Sequence, residues 1–219
     1  MNHFKLTLIG SALGVASAIA LAGNLEVSVI DKDGKPVLDA VVVLVTSVPG
    51  TPKVPLPLQT VITQEKMRFV PMVTLVGLGA KAHFVNNDPW EHHVRASAAG
   101  VAQFNAEPGD GFELRMDGKV EGKPAKTADA SFVKAGAVLL GCHFHASMRG
   151  HVYVSDSPWA MLTNADGVAA FEGVPDGAVQ MKVWHADQLL DLAPQRVTLT
   201  PAAVSATVQL TVVPRRRRV

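Results

Sequence analysis

The chain has 219 residues, enough for one large domain or two small ones, and a formal net charge of only +1. That balance excludes a strongly basic surface as its dominant feature, and we expect no nucleic-acid partner. Charged residues make up 18% of the sequence, against about 25% in a typical globular chain. Strands rich in valine and alanine are therefore favoured over surface helices.

The first 22 residues have the pattern of a secretory signal. Lys5 precedes an apolar run from 6 to 22, and Ala20-Leu21-Ala22 fits the small-x-small cleavage pattern. We therefore predict a signal peptide over residues 1–22 and a periplasmic or otherwise secreted mature protein without a membrane span. The alternative is an uncleaved membrane anchor, although the run is marginal in length for a span of about 20 residues.

Beyond residue 22, short strand-like runs alternate with turns. Two predicted strands, 25–30 and 37–45, flank a turn at 31–34, and the proline-rich stretch from Pro49 to Pro57 then marks a connector. Further strands are predicted at 59–63, 67–76, 81–87, 112–116, 137–142, 151–154, 168–171, 179–184 and 204–212. Regular short strands with intervening turns predict an all-β protein built of β-sandwiches.

Cys142, the only cysteine, lies in a short segment that also contains His145 and Met148. A lone cysteine in an exported chain cannot close an internal disulfide. Thiolate, imidazole and a weak axial thioether are, however, the ligands of a blue-copper electron-transfer site. Such a site needs a second histidine, and His92 and His93 are the upstream candidates. The sequence therefore predicts one bound copper ion.

The choice between the two adjacent histidines depends on strand geometry. Side chains alternate along a strand, so His92 shares a face with Val94, whereas His93 points with Arg95. If Val94 enters the core, His92 faces the metal, and the participation of His93 stays open. The predicted ligand set is His92, Cys142, His145 and Met148.

Four other histidines are interpreted as surface or structural groups. His143 lies between loop ligands but on the opposite side of an extended loop, where it would be a partner or surface residue. His151 follows Gly150 on the exit strand, and we expect it to face solvent. His83 and His185 are predicted to lie on a strand surface or between domains.

The segment from 59 to 155 resembles the cupredoxins over nearly its whole length, and two stretches carry its motifs. The first comprises Phe69-x-Pro71, Asn86-x-Asp88 and His92-His93-Val94. The second, Cys142-x2-His145-x2-Met148-Arg149-Gly150, is similar to the short ligand loop of amicyanins. A longer match, from 141 to 185, is similar to bacterial proteins of the methylamine-utilization or plastocyanin-like type. The resemblance implies a cupredoxin Greek-key β-sandwich.

The flanking segments resemble two halves of a carboxypeptidase regulatory-like, transthyretin-type β-sandwich. The similar motifs are Asp31-x2-Gly34-Lys35-Pro36, Asn164-Ala165-Asp166-Gly167 and Val174-Pro175-Asp176-Gly177. The resemblance implies one such sandwich interrupted by an inserted cupredoxin domain. The predicted divisions are a signal peptide at 1–22, a first sandwich segment at 23–58, the cupredoxin domain at 59–155, a second sandwich segment at 156–213 and a basic tail at 214–219.

These resemblances imply a type 1 (blue) copper protein that carries single electrons between redox partners, such as a c-type cytochrome or a periplasmic dehydrogenase. The alternative is a copper-binding chaperone or storage protein without an electron-transfer role. The sequence lacks the repeated methionine or histidine clusters typical of that class. A copper enzyme would need further copper centres with His-x-His pairs. The sole such pair, His143-x-His145, overlaps the predicted site, so we do not expect an enzyme.

Overall fold

The computed structural model describes residues 22–105, 107 and 111–215. The predicted signal peptide up to residue 21, and residues 216–219 of the predicted tail, lie outside the described residues. The strands are β1 (Ala22–Ile30), β2 (Val41–Thr46), β3 (Gln59–Glu65), β4 (Arg68–Val70), β5 (Val73–Gly77), β6 (Ala80–Asn86), β7 (His92–Ala98), β8 (Phe112–Met116), β9 (Lys126–Phe132), β10 (Gly136–Cys142), β11 (Arg149–Ser155), β12 (Trp159–Leu162), β13 (Val168–Pro175), β14 (Gly177–Trp184), β15 (Gln195–Leu199) and β16 (Val204–Gln209). A 3-10 helix, Gly100–Asn105, follows β7.

The strands form four sheets. Sheet A has the order β13-β1-β16, and sheet B has the order β12-β2-β14-β15. Sheet C has the order β4-β3-β6-β9, and sheet D has the order β5-β11-β10-β7-β8. Sheets A and B therefore use strands from both ends of the described chain, whereas sheets C and D use only strands from β3 to β11.

Sheets A and B pack together through the first hydrophobic core. The central strand β1 pairs antiparallel with β13 and parallel with β16, so Leu25 lies opposite both Phe171 and Val204. On β2, Val42 and Leu44 face this core because side chains alternate along a strand. The result is a sandwich assembled from segments that are distant in sequence.

Sheets C and D pack together through a second core, which contains Phe69, Phe84 and Leu140. Each of these three side chains is at most 2% exposed. Cys142 and Met148 belong to the same core. The loop between β10 and β11 is therefore fixed by packing at both of its ends.

A third, smaller core joins sheet B to sheet D. Val41, on the other face of β2, packs in it with Val73 of β5. Trp184 of β14 contacts Tyr153 and His151 of β11, with ring centroids 5.5 Å and 5.6 Å apart. The sheets are thus stacked in the order A, B, D, C.

The prediction that His151 faces solvent is wrong. Its Nδ1 atom is buried and has no hydrogen-bond partner among the described residues, since Trp184 packs over this part of β11. Desolvation lowers the pKa of His151 from 6.5 to about 4. The charge of Asp187 opposes that shift, and the charges of His185 and Arg149 add to it.

The two chain crossings between the sandwiches lie side by side. The backbone N–H of Gly77 donates to the carbonyl of Pro57 at 3.1 Å, and that of Leu78 donates to the carbonyl of Ser155 at 3.0 Å. Residues 57 and 155 stand at the entry and exit of the segment that forms sheets C and D. Two consecutive residues at the end of β5 therefore hold these crossings next to one another.

The predicted all-β sandwich class is confirmed, although four strands, β7, β9, β12 and β15, are missing from the predicted list, and for β7 the sequence reasoning assumed strand geometry only around His92 and His93. The predicted strand 67–76 is divided into β4 and β5 at Pro71, which has no N–H for a strand ladder and follows a cis peptide bond. Within the described part of the chain, no helix has the length and apolar character needed to span a membrane.

Candidate metal centre

Three neighbouring strands of sheet D bring predicted ligands together. β10 forms a hairpin with β11 and pairs on its other side with β7, where Cys142 lies opposite Val94. His92 begins β7, Cys142 ends β10, and His145 and Met148 lie in the loop before β11. The candidate site is therefore at one end of sheet D.

Three potential metal-binding atoms converge at this position. The Sγ atom of Cys142 lies 3.5 Å from Nδ1 of His92 and 3.4 Å from Nδ1 of His145, and the two Nδ1 atoms are 3.2 Å apart. His92 is 0% exposed and Cys142 is 7% exposed, whereas His145 is only partly buried. Among the described residues, this is the only group of three or more histidine, cysteine or acidic side chains arranged to hold a metal ion.

The backbone of the loop closes on itself around these side chains. The N–H of Met148 donates to the carbonyl of His145 at 2.8 Å, and the N–H of Cys142 donates to the carbonyl of Met148 at 3.3 Å. Met148 itself is buried in the second core. Its position at the end of the loop is compatible with the predicted axial role, which stays a prediction.

The burial of β7 follows the alternation expected from the sequence. His92 and Val94 are both 0% exposed and face the second core, whereas His93 points outward and forms a 3.0 Å contact with Glu113. Of the two adjacent histidines, His92 is thus the one whose ring lies beside Cys142. The ligand roles of the four predicted residues remain predictions.

A buried carboxylate, which the sequence reasoning missed as a functional group, positions His92. Oδ2 of Asp88 lies 2.9 Å from Nε2 of His92, and Asp88 is 4% exposed. An Nε2–H that donates to this carboxylate leaves the Nδ1 lone pair directed at Cys142 and His145. The sequence signals were its place in the Asn86-x-Asp88 motif and its position four residues before a histidine at the start of a strand.

Asp88 also fixes a turn on the neighbouring sheet. Its two carboxylate oxygens accept hydrogen bonds from the backbone N–H groups of Lys66 and Met67 at 2.6 Å and 2.9 Å. Desolvation acts to raise the pKa of Asp88, but the hydrogen bonds from Met67, His92 and Lys66 hold it below the ordinary value. The group is therefore an anion at neutral pH, suited to orient an imidazole.

Asn86 holds the other side of the ligand loop. Its side-chain amide donates to the backbone carbonyls of Trp90, Met116 and Asp117 at 2.9, 3.3 and 3.0 Å. Asn86 is 0% exposed. The segment that leads into His92 is therefore tied to the end of β8.

The side chains fit a copper ion. Ligand atoms arranged around a metal at bond lengths of about 2.0–2.3 Å lie roughly 3.5–4 Å from one another, close to the separations of 3.2–3.5 Å found here. One thiolate and two imidazoles suit copper in both of its biological oxidation states. A copper ion is therefore compatible with both the geometry and the chemistry of this site.

The surface beside the site is partly aromatic. Trp90 is 44% exposed and Phe144 is 46% exposed, and His143 is exposed as expected. Of the remaining histidines, His83 lies exposed beside Asp129 at 2.7 Å, whereas His185 is 6% exposed. Neither belongs to the cluster around Cys142.

No protein-family model matches the chain, and no curated protein matches it. Similar solved structures include amicyanins. An oxidized methionine-to-lysine mutant is 18% identical, with a TM-score of 0.35, and the match covers 53% of this chain and 99% of that one. The reduced state of a proline-to-phenylalanine mutant is 23% identical, with a TM-score of 0.32 and coverages of 53% and 99%. A Cu(I) methionine-to-alanine mutant is 17% identical, with a TM-score of 0.35 and coverages of 52% and 98%. Identities and TM-scores this low add no argument about function.

Proposed function

We propose that this protein is a type 1 copper protein that carries single electrons between redox partners. The observation that supports it is the convergence of His92 Nδ1, Cys142 Sγ and His145 Nδ1 in a largely buried site. Met148, buried at the end of the same loop, would supply the weak fourth ligand. When bound, copper would supply a one-electron Cu(I)/Cu(II) couple.

The protein's contribution would be a ligand set that is already in place. Asp88 orients the His92 ring, and β10 holds Cys142 by pairing on both sides. Because these groups are fixed by hydrogen bonds and packing, they would move little between the two oxidation states. A small rearrangement favours fast electron transfer over metal release.

Electrons would leave through the partly exposed side of the site. His145 is the most exposed of the three converging residues, and Phe144 beside it has 46% of its surface exposed. An aromatic rim of this size suits brief encounters with a small interface. A c-type cytochrome or a periplasmic dehydrogenase is the class of partner that we propose.

The domain arrangement is part of the same proposal. Residues 59–155 would be a cupredoxin domain inserted between segments 23–58 and 156–213 of a regulatory-like sandwich, after a signal peptide that directs the chain to the periplasm or outside. The adjacent crossings at residues 57 and 155 support an insertion, since inserted domains have neighbouring ends. The flanking sandwich would orient the copper domain and would not carry out catalysis.

The decisive experiment is reconstitution of the purified protein with one equivalent of Cu(II). We expect an intense visible thiolate-to-copper charge-transfer band that is lost in Cys142→Ser and kept in His83→Ala, a matched change at an exposed histidine. Voltammetry of the loaded protein should then show a reversible one-electron wave. A band without reversible electron exchange would favour the chaperone or storage alternative, and the absence of the band would refute the type 1 assignment.

A further inference from the structure

We propose a second metal site, on the face of β7 that points away from the second core, where the imidazoles of His93 and His143 together hold a divalent late transition-metal ion. Imidazole suits zinc, nickel and copper, and Cu²⁺ binds most tightly in the usual affinity order. The proposal does not depend on the proposed electron-transfer function, because neither histidine belongs to the buried cluster around Cys142.

The two rings are held at chelating distance by the sheet. Their centroids lie 5.6 Å apart with planes tilted by 57°, and the backbone N–H of His143 donates to the carbonyl of His93 at 2.9 Å. Two imidazoles bound to one ion through bonds of about 2 Å have centroids about 4.5–6 Å apart. Only side-chain rotation is therefore needed to bring both rings onto one ion, so little ordering opposes binding.

Glu113 prepares one of these rings for metal binding. Its Oε2 lies 3.0 Å from Nε2 of His93, and its Oε1 accepts a hydrogen bond from Arg95 at 2.8 Å. Although desolvation acts to raise the pKa of Glu113, Arg95 and His93 hold it below its ordinary value. A carboxylate that accepts the Nε2–H of His93 leaves the Nδ1 lone pair free, which is the usual support for a metal-binding histidine.

The second site is separated from the buried one by strand geometry. His92 and His93 point to opposite faces of β7, and Cys142 is buried whereas His143 is exposed. The His93 side chain is 21% exposed, so an ion from solvent can reach it. The two sites would therefore be filled independently.

The neighbouring side chains are compatible with a bound cation. Phe144 lies against both imidazoles, with centroids 5.6 Å from His143 and 6.0 Å from His93. Arg115 lies over the Phe144 ring at 5.7 Å and is paired with Glu91, which offsets its positive charge. The local charge therefore does not oppose a divalent ion strongly.

The test uses the full chain already loaded with one equivalent of copper and then titrated with a second equivalent of Cu²⁺. Electron paramagnetic resonance should show a second copper species with the large copper hyperfine splitting typical of nitrogen and oxygen ligands. The visible absorption spectrum should gain no further thiolate-to-copper charge-transfer intensity. Any protein that retains the predicted signal peptide carries His3→Ala, so that a histidine close to the amino terminus does not contribute a competing Cu²⁺ site.

The variants distinguish the pair from any single histidine. His143→Ala and His93→Ala should each weaken the second binding event about tenfold or more, and Glu113→Gln should weaken it by roughly tenfold, the usual effect of removing an outer carboxylate partner. His83→Ala removes an exposed histidine that also contacts a carboxylate and should change nothing. Unchanged affinity in His143→Ala, or equal loss in His83→Ala, would overturn the proposal. If the unsubstituted protein formed the histidine-bound copper species but not the thiolate-bound one, the proposed function would be refuted and the second site would stand.

Discussion

Acidification should destabilise this protein through His151. The ring packs against Trp184 where sheets B and D meet, its Nδ1 atom has no partner among the described residues, and its pKa is lowered to about 4. The charged groups that act on it are Asp187, which favours protonation, and His185 and Arg149, which oppose it. The informative perturbation is His151→Gln, which removes the titrating group and keeps a polar side chain.

The size of the effect follows from proton linkage. The unfolded chain binds a proton at this position below about pH 6.5, whereas the folded protein binds it only below about pH 4. Between these values the unfolded state holds more protons, so the free energy of unfolding falls by about 1.4 kcal/mol for each pH unit of acidification. The contribution is absent above pH 6.5 and reaches roughly 3 kcal/mol at most near pH 4.

The assay is urea unfolding of the apoprotein from about pH 7.5 down to about pH 5, followed by tryptophan fluorescence. Between these two conditions, wild type should lose about 2 kcal/mol more stability than His151→Gln. His151→Phe serves as a second non-titrating control, and its pH dependence should parallel that of His151→Gln even if its absolute stability differs. Parallel curves for wild type and both variants would refute the account of His151 as a buried neutral imidazole.

The remaining predictions concern the metal centre and its hairpin. Asp88→Asn should weaken copper affinity by roughly ten- to a hundredfold in competition titrations, because the carboxylate that orients His92 is lost. His92→Ala should abolish the visible charge-transfer band, whereas His93→Ala should keep it with an altered potential or stability. Gly150→Ala should lower the free energy of unfolding by about 1–3 kcal/mol in chemical denaturation, because its new Cβ would lie 2.8 Å from Cβ of Phe69.

Each of these outcomes has a matched comparison. Asp129→Asn changes an exposed carboxylate beside a histidine and should leave copper affinity unchanged, and equal losses in both variants would contradict the role of Asp88. A band that survives in His92→Ala but disappears in His93→Ala would reverse the strand-face argument. Gly141→Ala lies on the same hairpin with no atom within 4 Å of its new Cβ, so a destabilisation as large as that of Gly150→Ala would argue against overpacking.

Much of the fold was predictable because hydrophobic alternation is a local signal. β1 and β2 contain valine-rich runs whose alternate side chains enter the first core. The predicted strand 67–76 was wrong in one respect, because Pro71 divides it into β4 and β5. β9 and β15 carry mostly polar residues, and half or more of their side chains are exposed or only partly buried. Their strand character comes from pairing with β6 and β14, which no local pattern encodes.

The candidate site was also predictable only in part. Cys142, His145 and Met148 lie close together in sequence, and the alternation of His92 with Val94 identifies which histidine turns inward. Asp88 stands in the Asn86-x-Asp88 motif, but its contacts with His92 and with the backbone of Lys66 and Met67 appear only in the folded structure. His151 was misassigned because its cover, Trp184, comes from a strand of another sheet.

The adjacent crossings at Pro57 and Ser155 have a consequence for the order of folding. In the first sandwich, Leu25 pairs with Phe171 and Val204, which are far away in sequence. Bringing these strands together closes a long loop of unfolded chain, and the entropic cost of that closure slows folding. Once sheets C and D have formed, however, the intervening residues span only the short distance between neighbouring backbone hydrogen bonds. The strands of sheets A and B that precede and follow this segment are then as close as strands joined by a short loop. We therefore expect residues 59–155 to fold first and the two ends of the chain to assemble afterwards.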